Sequence, residues 1–302
     1  MMKSLIERMA QGDVLIADGA MGTFLHAKGL GPGECPESWC ISHPDVLKGI
    51  AEAYITAGSD IIETNSFGGS SLKLQPYGLA DKVREFNRAA AALAKEAMGD
   101  RGYVVGSVGP TGHFAKEEYG DVSTEELYEA FMGQVTALAE GGADAICVET
   151  MSSLVEAVQA IKAAKENTKL PVLCTFTFDQ KPRGFFTMMG VTPEQAAEEA
   201  AAAGADIVGA NCGNGISNMI QIAKRMRAAL PKIPIIIQAN AGMPKIANGE
   251  TVFPETPEYM ASQVKELFEA GANIIGGCCG TTPDHIAAIA KASRAMFKAV
   301  QR

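Results

Sequence analysis

The sequence predicts a (β/α)8 TIM barrel, read as a single domain over residues 1–302, and three observations predict it. First, a glycine, a small residue and Asp or Asn precede a short apolar run four times. The copies are Gly58-Ser59-Asp60, Gly142-Ala143-Asp144, Gly204-Ala205-Asp206 and Gly271-Ala272-Asn273. Second, four more runs of strand length alternate with these, at Val14–Ala17, Tyr103–Val108, Pro171–Phe178 and Pro234–Ala239. Third, every pair of runs is separated by enough chain for a helix, which implies parallel pairing of eight strands.

The first run ends in Asp18-Gly19-Ala20-Met21-Gly22, an acid and glycines that mark a tight loop after a strand. The stretch from Gly29 to Glu37, rich in glycine and proline, reads as a long connection. His43-Pro44 opens a helix carrying Val46, Leu47, Ile50, Ala53, Tyr54 and Ala57. Each repeat glycine follows an alanine-rich helical stretch, where a C-terminal cap belongs, and precedes the next strand. A doubly wound sheet would bring a glycine-rich phosphate turn after its first strand; neither Gly-x-Gly-x-x-Gly nor a P-loop occurs.

The 302 residues are 47% hydrophobic and 20% charged, ample for a large core, with a net charge of −9. That acidity argues against nucleic acid or an anionic membrane as a partner. The N-terminus lacks the apolar core of a secretory signal, and no run reaches the roughly 18 apolar residues of a membrane span. Seven cysteines, two of them adjacent, suit a reducing compartment better than a disulfide framework. The expectation is a soluble cytoplasmic protein.

Catalytic groups of such barrels sit at the C-terminal ends of the strands. Counting along the repeats brings Asn65 and Ser66, Glu149 and Thr150, Asn211 and Cys212, and Cys278 and Cys279 to one rim. The other strands add Asp18, Gly109-Pro110 and Asn240. Cys212 and the Cys278–Cys279 pair end strands two apart round the ring. Three thiolates meeting there suit a catalytic zinc with one position open. Two rival readings use the same residues: buried strand cysteines, or a glycine cradle for phosphate before the Thr282-Pro283-Asp284 helix start. Thiols are poor phosphate ligands, and no basic residue lies nearby in sequence.

The remaining candidates divide by context. Cys147 and Cys174, among apolar neighbours in mid-strand, read as core; Cys35 and Cys40 show no metal spacing. Glu149, ending an apolar strand, needs a buried partner and suits a substrate ammonium. His113 lies in a rim loop within reach of a substrate, whereas His285 reads as a solvated or capping residue. Phe185, Phe186, Met188 and Met189 follow strand five and read as core or lid packing.

Taken together, the residues resemble the zinc-dependent homocysteine S-methyltransferases, most closely the homocysteine-binding barrel of cobalamin-dependent methionine synthase. The resemblance runs from Asp18-Gly19-Ala20-Met21-Gly22-Thr23 to the glycine-flanked cysteine pair. It takes in Glu63-Thr64-Asn65-Ser66-Phe67, Gly106–Gly112, Glu149-Thr150-Met151, Gly209-Ala210-Asn211-Cys212 and Gln238-Ala239-Asn240-Ala241-Gly242. It implies that Cys212, Cys278 and Cys279 bind zinc and that the L-homocysteine thiol takes the open position. It further implies an amino-acid clamp of Asp18, Gly19 and Ala20 with Thr64 and Glu149. Asn240 is implied as a zinc cap while substrate is absent, although Ala239 stands where the family usually has proline. Three thiolates leave the zinc centre net negative, which keeps a coordinated substrate sulfur nucleophilic.

The methyl donor is less specified. The motifs resemble the cobalamin enzyme more than those using S-methylmethionine or betaine, yet the cobalamin-binding Asp-x-His-x-x-Gly sequence is absent. The expectation is methylcobalamin delivered by a separate corrinoid protein. The alternatives are S-methylmethionine, betaine or another methylated donor, a demethylase feeding a corrinoid protein, and a non-catalytic metal-binding or redox-sensing barrel.

Overall fold

The eight expected strands all form and join one parallel sheet in the computed structural model, which describes residues 3–247 and 250–300. They are β1 (Leu15–Ile16), β2 (Ile61–Glu63), β3 (Tyr103–Val108), β4 (Ala145–Met151), β5 (Val172–Phe176), β6 (Ile207–Asn211), β7 (Ile235–Ala239) and β8 (Ile274–Gly277). Neighbours in sequence are neighbours in the sheet, and β8 pairs with β1 (Leu15 opposite Ile274). The seam between β1 and β2 is bridged by Asp60 N to Ile16 O at 2.7 Å and Glu63 N to Asp18 Oδ2 at 2.8 Å. A helix or helical pair follows every strand, from Pro44–Ala57 after β1 to Pro283–Val300 after β8. Strands β1, β5 and β7 are shorter than the apolar runs that announce them. Residues flanking those strands, such as Pro171 and Pro234, lie outside the ladder.

The fourfold repeat has a structural cause. Gly58, Gly142, Gly204 and Gly271 all adopt left-handed φ between 98° and 110°, a region costly for residues with a Cβ. The following acid then clamps the neighbouring odd strand. Asp60 Oδ2 accepts Ile16 N at 3.0 Å, Asp144 Oδ2 accepts Val104 N at 2.8 Å, and Asp206 Oδ2 accepts Val172 N at 2.8 Å. In the last copy Asn273 Oδ1 accepts Ile235 N at 3.0 Å. A basic residue closes each clamp: Arg8, Lys95, Lys165 and Arg227 respectively. These groups pin the N-terminal end of the barrel.

Side chains alternate along the strands as the two-residue period requires. Inward-facing Leu15, Ala17, Ile61, Tyr103, Val105, Ala145, Leu173, Ile207, Ile236 and Ile274 form one apolar cluster, plugged from below by Leu5 and Met9 of the helix Leu5–Ala10. Outward-facing Ile62, Val104, Ile146, Val208 and Ile237 pack instead against the helices. Two strand residues further on, the same inward register carries Glu63, Ser107 and Gln238, and four further on it carries Glu149 and Asn211. The barrel is apolar in its lower half and polar towards the C-terminal rim.

Among the described residues, no helix is long and apolar enough to cross a membrane. The expected connection at Gly29–Glu37 contains the start of a short 3-10 turn, Pro36–Ser38, before the helix Trp39–Ser42. The segment after β5 is a hairpin, Asp179–Lys181 against Gly184–Phe186. Phe185 is buried in it and Met188 beyond it is exposed.

Candidate metal and substrate site

Cys212 follows β6, and Cys278 and Cys279 follow β8; their sulfurs all lie within 4.8 Å of one another. No other group of three Cys, His or carboxylate side chains is so placed among the described residues. Cys212 has a left-handed backbone, φ 58°, which costs a residue with a Cβ roughly 1–2 kcal/mol. Cys212 N donates to Gln238 O at 3.2 Å, and Asn214 N donates to Cys212 O at 2.8 Å, which holds the turn. On the other loop, Cys278 N donates to Ala239 O at 2.8 Å and Ala241 N to Cys279 O at 3.0 Å. The Ala239 carbonyl, which a proline would also offer, is thus the anchor of the cysteine pair.

The glycines around the pair have a steric cause. A Cβ on Gly277 would lie 2.3 Å from Thr281 Oγ1 and one on Gly276 would lie 2.7 Å from the Ala17 Cβ. Thr281 Oγ1 donates to Cys278 O at 2.7 Å and accepts Ala20 N at 3.2 Å. Gly277 N donates to Asp18 O at 2.9 Å. The β1 and β8 loops therefore interlock, and the Asp18-Gly19-Ala20 turn lies directly against the cysteine loop.

Electrostatically, the three thiols perturb one another strongly. Thiols of Cys278 and Cys279 donate to Cys212 and pull it down to about 3, while Cys279 is pushed up to about 11 and Cys278 rises well above the ordinary thiol range. A metal dication would take over the role of those donated protons. Zinc held tetrahedrally by thiolates at about 2.3 Å spaces its sulfurs about 3.8 Å apart. Cys212 Sγ and Cys279 Sγ lie 3.7 Å apart. The donor set fits the metal. Asn240, 4% exposed, lies beside Cys212 and helps hold its thiol down, and its Oδ1 is buried without a partner.

Beside the sulfurs lie three carboxylates. Glu149 is 7% exposed, accepts Ser107 Oγ–H on Oε1, and accepts Asn211 Nδ2 on Oε2 at 3.0 Å. Burial pushes it up to about 7, opposed by the Ser107 hydrogen bond and assisted by the charge of Cys212. Asp18, 2% exposed, is pushed up to about 8 by burial and by Glu149, and its Oδ1 has no partner. Glu63 lies between them, raised by burial and by both neighbouring charges. The unpartnered Asp18 Oδ1 leaves this cluster one open acceptor for an incoming donor.

The remaining expected residues fall in several places. Thr64 is buried, with Oγ1 2.5 Å from Ser66 Oγ and accepting Ser107 N at 3.0 Å, so its hydroxyl orients the serine that bonds Glu149. Gly19 packs against Tyr54, whose hydroxyl donates to Ala20 O at 3.1 Å. His113 pairs with Asp121 at 2.7 Å on the loop after β3. His285 is buried and not solvated, and it caps its helix as the other expectation had it: Nδ1 accepts Thr282 N at 3.2 Å, and Nε2 meets Glu255 O at 3.0 Å. Cys147 and Cys174 are core, and Cys35 and Cys40 are buried away from the triad. The sequence brings Asn211 to the rim but assigns no role to Glu63, Ser107 or Gln238. Their signal is the inward register they share with the apolar barrel residues two positions earlier.

With this geometry in place, the family model for homocysteine S-methyltransferase matches residues 15–293. The chain belongs to the homocysteine S-methyltransferase family. It is also 30% identical to the methionine synthase of Mycobacterium leprae (strain TN) over 306 residues, covering 95% of this chain and 25% of that protein. The methionine synthase of Mycobacterium tuberculosis (strain ATCC 25618 / H37Rv) is 30% identical over 297 residues, covering 92% of this chain and 24% of its own length. This homocysteine S-methyltransferase family member thus spans about a quarter of those relatives. In fold it is similar to the homocysteine methyltransferase MmuM from Escherichia coli, metallated form. The TM-score is 0.78 at 22% identity, over 95% of this chain and 99% of that one.

Proposed function

We propose that the barrel transfers a methyl group to the thiol of L-homocysteine, giving methionine, with zinc held by Cys212, Cys278 and Cys279. The observation that carries this reading is the convergence of three sulfurs beside a buried carboxylate cluster in which Asp18 Oδ1 lacks a donor. When bound, the zinc would supply a Lewis acid that favours the thiolate form of the substrate, the nucleophilic form. Asp18 and Glu149 receive the substrate ammonium, with Glu63 buried beside them. The Gly19-Ala20 turn offers backbone to the substrate carboxylate, and Thr64 acts through Ser107 to aim Glu149. Asn240, whose Oδ1 is buried without a partner, would be the further ligand to the metal while substrate is absent. The substrate sulfur, its proton removed, attacks the methyl carbon in line, and the bonding pair of the broken bond leaves with the donor.

The proposed donor is methylcobalamin on a corrinoid protein. The motif resemblance supports it, as do exposed apolar side chains on the rim loops. Phe67 after β2, Met188 after β5 and Met243 after β7 are 41%, 69% and 53% exposed. A small donor needs no such surface, whereas a carrier protein does. A donor screen with homocysteine as acceptor tests this: methylcobalamin or a methylated corrinoid protein should yield methionine. Turnover with S-methylmethionine or betaine alone would overturn the donor assignment and leave the acceptor chemistry intact.

A further inference from the structure

The three sulfurs and Asn240 come from three separate rim loops, after β6, β7 and β8. One short segment, Phe253–Glu255, touches all of them. On the β6 loop, Ile216 N donates to Glu255 Oε2 at 3.1 Å, and a Cβ on Gly215 would lie 2.2 Å from Glu255 Oε1. On the β7 loop, Glu255 N donates to Ala241 O at 2.9 Å, and a Cβ on Gly242 would lie 3.0 Å from Glu255 Cγ. On the β8 side, Thr282 N donates to His285 Nδ1, so the ring proton sits on Nε2 and is donated to Glu255 O at 3.0 Å. A Cβ on Gly280, the residue after Cys279, would lie 2.1 Å from the Phe253 ring.

Each loop thus gives up a side chain, at Gly215, Gly242 or Gly280, where this segment lies. Gly215 faces the Glu255 carboxylate, Gly242 faces Pro254 and Glu255, and Gly280 faces Phe253, so the whole segment lies in space that the three glycines leave open. Thiol ligands on separate loops bind a metal tightly only if the loops are held at the right spacing beforehand, because ordering them on binding costs conformational entropy. The start of the β7 loop bonds both neighbours directly, through Asn240 N to Asn214 O and Ala241 N to Cys279 O, and Glu255 at its far end adds a side-chain tie to Ile216 N and, through His285, a tie to the β8 side.

We propose that Glu255, with His285 behind it, is a positioning residue for the three-thiol site. It sets the spacing between the Cys212 loop and the Cys278–Cys279 loop without touching a sulfur. This rests on the zinc reading above.

The test compares the full chain with its Glu255→Ala and Glu255→Gln variants. Zinc affinity is read by competition with a chromophoric chelator and ligand geometry by the visible spectrum of the cobalt(II) form. Glu255→Ala should bind zinc about 10–100-fold more weakly and shift the cobalt bands. Glu255→Gln, whose amide oxygen still accepts Ile216 N, should recover most of the affinity. Should Glu255→Ala not fold, His285→Leu removes the donor to Glu255 O and should weaken zinc in the same direction. A folded variant of either kind with unaltered zinc affinity and cobalt spectrum would overturn the proposal, leaving Glu255 a residue of ordinary fold stability. An unmodified chain that binds no zinc would overturn the zinc reading, and this inference with it.

Discussion

Asn211 Nδ2 donates to Glu149 Oε2 at 3.0 Å, tying the residue before Cys212 to the carboxylate at the bulge of β4. The same amide donates to Thr150 Oγ1 at 2.7 Å, and its Oδ1 accepts Thr150 N at 2.9 Å and Thr175 Oγ1 at 2.8 Å. Asn211 is 1% exposed and fully bonded. One side chain therefore fixes the carboxylate, the left-handed turn at Thr150 and the start of the Cys212 loop in one frame.

Glu149→Ala should weaken homocysteine binding to the zinc-loaded protein by about 2–5 kcal/mol, as expected for a buried charge left without its partner. Calorimetric titration reads it directly. Asn211→Ala should couple to Glu149→Ala with an interaction energy of about 0.5–3 kcal/mol, and simple additivity would separate the two residues.

Cysteine substitutions should divide by position. Cys278→Ala should lose the zinc, measured by metal analysis after dialysis. Cys174→Ala, in the apolar layer between sheet and helices, should keep the metal and cost about 1 kcal/mol of unfolding free energy. Equal zinc content in both variants would contradict the triad.

The stability of the metal-free protein should depend on pH through the carboxylate cluster. Asp18 rises from 3.8 to about 8 and Glu149 from 4.5 to about 7. Between those values the folded state holds more protons than the unfolded state, so stability falls as pH rises. It should be greatest below the unfolded values, near pH 4, and decline progressively towards pH 8, as read by denaturant titration. Asp18→Asn should flatten part of that decline.

Glycines differ in what they tolerate. A Cβ on Gly209 would lie 1.9 Å from Ile236 O, a backbone atom of the paired strand, so β6 and β7 must separate. Gly209→Ala should lower stability by about 3 kcal/mol. Gly22, in the helix Met21–Ala27, has nothing within 4 Å of its Cβ position. Gly22→Ala should stabilise by about 0.4–1 kcal/mol. Thermal or denaturant unfolding of both variants checks the contrast.

Much of this site was legible along the chain because barrel geometry brings every strand end to one rim. The repeat glycines locate β2, β4, β6 and β8, and counting from them brings Cys212 to Cys278 and Cys279 without coordinates. The period-2 register also contained Glu63, Ser107 and Gln238, but a strand as short as Ile61–Glu63 shows too few alternations to reveal which side faces inward. Glu255 and the burial of His285 were beyond reach for another reason. Their partners, Ile216, Ala241 and Thr282, lie on three loops whose approach depends on vacated space at glycines, and nothing in a linear sequence says which glycine is vacated for what. Thr64 shows the same limit: its place beside the clamp follows from the motif, whereas its bond to Ser107 N requires the β2–β3 register.

The central claim is that Cys212, Cys278 and Cys279 hold a zinc whose open position receives the homocysteine sulfur. X-ray absorption at the zinc edge, recorded with and without homocysteine, tests it most directly. The account predicts three sulfur neighbours and one lighter atom in the free protein, becoming four sulfurs at about 2.3 Å when homocysteine is added. A sulfur count that does not change on adding saturating homocysteine would contradict it.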